Sequence, residues 1–143
     1  MTHSFTRRFI SSDTAQGILS FALCYALREE WQIAIAVCDP SGVLVAFGRT
    51  DGVDSPSVEF AIDKAYTAGT LGKSTAAFGQ RMASSPTLSL GLATRSRLIA
   101  WGGGVAIFEQ DTCIGGLGVS GMQDHQDIAC AEAAIKSVGL TPV

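Results

Sequence analysis

Few side chains of this 143-residue chain could do acid/base or charge-stabilising chemistry, and most of them stand alone. His3 and His125 are the only histidines. Two isolated imidazoles make no two-histidine metal site unless the start of the chain folds back or a second copy contributes. His125 follows Asp124 and precedes Asp127 by two residues. In the first turn of a helix that setting suits a solvated, cap-associated residue, and equally an acid/base group or ligand. Lys64, preceded by Asp63, interrupts a run of small apolar residues, while Arg49 and Asp51 close another apolar run. Each has two readings: a solvated surface charge, or a charge that meets a ligand.

Glycines are dense around Gly102-Gly103-Gly104 and Gly115-Gly116-Leu117-Gly118. Glycine weakens strands, so such density marks places where a ligand, or another stretch of backbone, comes very close. Thr67 to Ser74 nearly spells a phosphate-binding loop, but Thr67 stands where the first glycine is required and the stretch follows a helical pattern, not a strand. Cys24, Cys38, Cys113 and Cys130 form no C-x-x-C pair and fall inside apolar segments, which predicts four buried free thiols.

The elements that must position these residues follow from periodicity. Apolar positions from Ala15 to Leu27 recur at helical spacing, with Ser12 or Asp13 available as a cap. Gln32 to Cys38 and Val43 to Phe47 are β-prone runs joined by an Asp39-Pro40-Ser41-Gly42 turn, hence a hairpin. Ser55 before Pro56 reads as a helix cap, and Val58, Ala61, Ile62, Ala65 and Ala68 give the second helix a narrow, alanine-rich face. Gly69 to Thr94 predicts short helical pieces broken at Gly72, Gly79 and Pro86. Leu98–Ala100, Val105–Glu109 and Cys113–Val119 read as three strands, the last two joined at Gln110-Asp111. A final helix starts near Asp124 and ends at Gly139. Consecutive hairpin-like strands imply an antiparallel sheet covered by helices, in one domain over residues 1–143.

Composition sets the remaining bounds. The net charge of −3, with scattered basic residues, leaves no footprint for a phosphate backbone, so nucleic acid is not an expected partner. Charged residues make up only 16%, against a usual share of about 25%, which predicts that another subunit covers part of the surface. The longest apolar run is far too short to span a bilayer, and no leader-like segment opens the chain; a cytoplasmic homo-oligomer is expected.

Several segments together resemble the GlcG/HbpS family, also described as haem-degrading-domain proteins and found as the C-terminal domain of PduO-type adenosyltransferases. They are Ala46–Gly52, Ala61–Ala68, Gly102–Val105 and Ile114–Gly121, followed by Gln126-Asp127. The resemblance implies a profilin-like, three-layer α/β/α fold with a five-stranded antiparallel sheet, assembled into homo-oligomers. Some family members bind haem or other tetrapyrroles and others accompany catabolic enzymes, so the fold does not settle function. The sequence departs from the family at Met122-Gln123-Asp124-His125 and at Gly104-Val105. No axial haem ligand carries over, and the cofactor is left open.

Two functions follow. In the first, the chain binds an anionic or planar small molecule through Arg49, Lys64, Gly103, Gly104, Ser120 and Gly121. In the second, it is a cofactorless enzyme in which His125 or Asp127 moves a proton while Lys64 stabilises the developing anion. Both place the site between the second helix and the start of the last, without a metal.

Overall fold

The Ser11 hydroxyl accepts the Thr14 N–H, and helix α1 then runs Ser12–Arg28 in a computed structural model that describes all 143 residues. The cap therefore precedes the expected Ser12 or Asp13. Strands β1 (Ala34–Cys38) and β2 (Leu44–Arg49) form the expected hairpin, its turn closed by the Asp39 carboxylate, which accepts the N–H groups of Ser41 and Val43. Helix α2 (Ser55–Leu71) is capped not by Ser55 but by Asp54, whose carboxylate accepts both the N–H and the hydroxyl of Ser57. Two short helices follow, α3 (Thr75–Ala83) and α4 (Pro86–Leu92). Gly79 does not break a helix: it lies inside α3, where the Ala100 carbonyl occupies the space a side chain would need. Strands β3 (Gly104–Glu109) and β4 (Thr112–Ser120) turn at Gln110-Asp111, helix α5 spans Asp124–Ser137, and β5 is Thr141–Pro142.

The five strands pair antiparallel throughout, in the order β2-β1-β4-β3-β5. Leu98–Ala100 is not one of them. Its place beside β3 belongs to the chain end, where Val143 and Ala106 exchange two backbone hydrogen bonds. Segment 97–99 runs instead along α2, with the Arg97 carbonyl accepting from the Thr67 hydroxyl and the Ile99 N–H donating to it. Three β-prone residues fix no strand unless a neighbouring strand has free backbone groups to offer.

The layers on the two faces differ in thickness. Against one face, α1 and α5 contribute Ile18, Leu19, Ala131 and Ile135 to a cluster of 19 buried residues that includes Ile35, Val37, Leu117 and Val119 of the sheet. Against the other lie α2 and the start of α3, and there the cluster is only Ala34, Ala36, Cys38, Ala61 and Ala65. Gly116 and Gly118 of β4 face this helix. A Cβ on Gly118 would run into the Ala61 carbonyl, and one on Gly116 into the Ala65 carbonyl and the Gly69 amide. The close approach read from the glycine density is that of helix backbone on strand backbone.

All four cysteines are free. Burial pushes the Cys38 and Cys130 thiols up to about 12, and Cys113 is half-buried. Cys24 is exposed, contrary to expectation. It stands two residues past Ala22, so the helix turns it away from the buried stripe.

Gly118→Ala is expected to lower stability by about 2 kcal/mol or more, as overpacking against a rigid backbone does. Gly91→Ala, at a helical glycine with nothing within 4 Å, should raise it by about 0.5–1 kcal/mol. Urea denaturation measures both, and equal midpoints would contradict the backbone contact.

Candidate functional site: a sealed ion pair at the end of the sheet

Since α2 meets the sheet through Ala61, Ala65 and Ala68, the residue three past Ala61 must also turn toward it. That residue is Lys64. It is 1% exposed, not a solvated surface charge. Its stem fits because the backbone beside it carries no side chain: a Cβ on Gly103, where φ is +121°, would meet Lys64 Cδ, Lys64 Nζ and the Val119 carbonyl. Lys64 Nζ donates to the Val119 carbonyl at 2.9 Å and to Asp127 Oδ2 at 3.3 Å. Asp127, also 1% exposed, accepts the Met122 N–H on its other oxygen at 3.1 Å. The pair thus joins α2 on one face, the end of β4, and the first turn of α5 on the other.

Burial pushes Lys64 below its ordinary value, and the attraction of Asp127 opposes that shift. Burial likewise raises Asp127, opposed by Lys64 and by the Met122 amide. Desolvation outweighs attraction for both groups, so the pair fixes geometry more than it adds stability.

The remaining predicted residues are placed around this pair or away from it. Gly104 is pinned by its N–H to the Thr75 hydroxyl, at 2.9 Å. Ser120 is buried at the end of β4, opposite Ala34, and Gly121 packs against the backbone of Gln32 and Ile33. Arg49 sits in the same cross-strand row on edge strand β2, roughly two strand spacings (~10 Å) from Ser120, and is exposed. His125 is exposed as well and does not join Lys64 and Asp127. The first turn of α5 carries its own carboxylates, Asp124 and Asp127, with Asp124 Oδ2 accepting the Gly102 N–H and Gln126 Oε1 the Gln123 N–H.

Two features escaped the sequence reading. Phe60 and Trp101 meet edge-to-face, centroids 5.4 Å apart at 85°, and both are exposed, at 37% and 42%. They flank the glycine triplet beside the first turn of α5. Open clefts lie along α2, one of about 440 Å³ lined by Ser55, Pro56, Val58, Glu59 and Phe60. Lys64 and Asp127 line none of the clefts.

The family model described as haem-degrading protein HbpS-like matches residues 10–136. The chain belongs to the HbpS-like family. The corrinoid adenosyltransferase PduO of Citrobacter freundii is 32% identical over 117 residues, covering 78% of this chain but 34% of that longer protein. Among solved structures, Klebsiella pneumoniae protein ORFY superimposes with a TM-score of 0.90 at 24% identity, covering 97% of each chain. The PduOC:heme complex does so at 0.85 and 23%, covering 92% of this chain and 96% of that one. These likenesses show the fold expected from the resemblance: mixed α/β with a five-stranded antiparallel sheet between helices.

In the folded protein the Asp127 carboxyl is expected to titrate above 3.8 and the Lys64 ammonium below 10.5. Between 3.8 and its raised value, folded Asp127 holds a proton that the unfolded chain does not. Acidification through that window therefore favours the folded state through this group. Lys64 is the mirror case: raising the pH toward 10.5 favours it. Lys64→Met removes the opposing cation and should push Asp127 higher still. Carboxyl-detected NMR titration of the wild type and of Lys64→Met reads the Asp127 carboxyl, and an Asp127 value at or below 3.8 would contradict this.

Proposed function

We propose that the chain, as one domain over residues 1–143, is a binding module for a planar, carboxylate-bearing small molecule of the haem or tetrapyrrole class. The exposed Phe60–Trp101 pair carries this reading. An unshielded aromatic edge-to-face pair beside a cleft offers a flat apolar ligand stacking area without prior unfolding. The family description names haem, and a solved relative is a haem complex. The residues fit a planar group held by its face at the surface, with exposed His125 nearby and no enclosed pocket. Haem bound there would supply its own iron and macrocycle chemistry; the chain's part is to hold the ring and exclude water from one side of it.

Lys64 and Asp127 then act beneath the ligand, holding Gly103 and the first turn of α5 in place, with Gly104, Ser120 and Gly121 as the floor. The enzymatic alternative needs the same two groups to reach a substrate, and their mutual pairing and 1% exposure speak against it. Arg49, on the exposed edge strand, is free to meet a ligand carboxylate brought by a neighbouring subunit. The homo-oligomer is supported by α4, none of whose residues is buried, and by Leu90 on it, 73% exposed. No helix is long and apolar enough to cross a membrane.

Haemin titration tests the reading. Haemin should raise the melting temperature of the wild type, as any ligand of the folded state does. Trp101→Ala should weaken binding by roughly three- to tenfold, the worth of one aromatic contact. His125→Ala should leave the Soret band unchanged. Light scattering on the same samples should give a mass above one chain. No thermal shift at any haemin concentration would overturn the proposal, and a Soret shift lost in His125→Ala would place the iron on that histidine.

A further inference from the structure

A second cleft lies further along the outer flank of α2, and its chemistry differs from that of the aromatic pair. It measures about 340 Å³ and is lined by Tyr66, Thr94, Arg95, Ser96, Arg97 and Leu98. Arg97 is held in it on several sides. Its guanidinium lies 3.8 Å over the Tyr66 ring centroid, and its Nε donates to Asp63 Oδ1 at 3.2 Å. Its backbone is tied to α2 through the Thr67 hydroxyl. The edge bearing its two terminal amino groups makes no hydrogen bond within the chain. Arg95, exposed in the same cleft, donates only to the neighbouring Thr94 hydroxyl.

We infer that this cleft is a carboxylate-binding subsite for a small organic acid. A guanidinium stacked on a ring and fixed along one edge has already lost most of the freedom that binding would cost it. Its free edge offers two parallel N–H donors, the geometry that a planar carboxylate accepts bidentately. Charge narrows the choice further. Arg97 is paired with Asp63 while Arg95 meets no carboxylate, so the cleft lining has a single unpaired positive charge to offer, which suits a monoanion. A phosphate dianion would stand near Asp63 with one of its charges uncompensated. Ser96 lines the same cleft, and its hydroxyl, which makes no hydrogen bond within the chain, adds a donor for a second oxygen. The proposal does not depend on haem: its residues are separate from Phe60 and Trp101.

Amide-detected NMR with sodium benzoate as the probe tests it. Benzoate should shift the amides of Thr94 to Leu98 saturably, and Trp101→Ala should leave that titration unchanged. Arg97→Lys keeps the charge but loses the fork, and should weaken benzoate about tenfold. Arg95→Ala, at an exposed side chain outside the core, should weaken it several-fold. Inorganic phosphate at the same concentration should bind more weakly than benzoate. The proposal is overturned if benzoate gives no saturable shift in this segment, if phosphate binds as tightly, or if both arginine variants bind benzoate like the wild type.

Discussion

Helix α2 rests on strand β4 with main chain against main chain, and most of the remaining structure follows from that contact. Gly116 and Gly118 remove the side chains that would hold helix and sheet apart, and Ala61, Ala65 and Gly69 do the same from the helix. At such a separation a lysine on the sheet-facing stripe cannot fold back to water. Lys64 must therefore run along the sheet toward its end, where Gly103 leaves a channel and the Val119 carbonyl and Asp127 wait as acceptors. A thicker interface, with leucine in place of alanine, would let an ammonium at this position escape.

The consequence for function is a division between inside and outside. Inside, the two groups best suited to proton transfer neutralise each other and hold three elements in register. Outside, along the exposed flank of α2, lie the features a ligand can reach: an aromatic pair at one end and a stacked arginine at the other. A buried pair of this kind is a costly way to gain stability but an effective way to define one arrangement. Here it fixes the glycine triplet and the start of α5, on which Trp101 and His125 are carried.

Much of this was legible in the residues. The helix at Ser12–Arg28 and the two hairpins that supply four strands of the antiparallel sheet follow from spacing and turn residues. Ala61, Ala65 and Ala68 define a stripe to which Lys64 belongs by its three-residue offset from Ala61. What spacing could not show was how near the sheet lies, and hence whether that lysine is solvated or sealed. Thr141–Pro142 is too short to leave any period, while Leu98–Ala100 has β propensity but no free strand edge. His125 sits two residues before Asp127 and so points away from it on the helix. The partnership of Phe60 with Trp101 joins positions far apart in sequence, and no local pattern announces it.

Selective labelling of lysine amines tests the sealed pair most directly. Reductive methylation of the native protein, mapped by peptide mass spectrometry, compares Lys64 with Lys73 and Lys136 in one sample. Lys73 and Lys136 should be modified readily, with Lys64 reacting only when the protein is unfolded in denaturant. Modification of native Lys64 at the same rate as the other two would contradict the account.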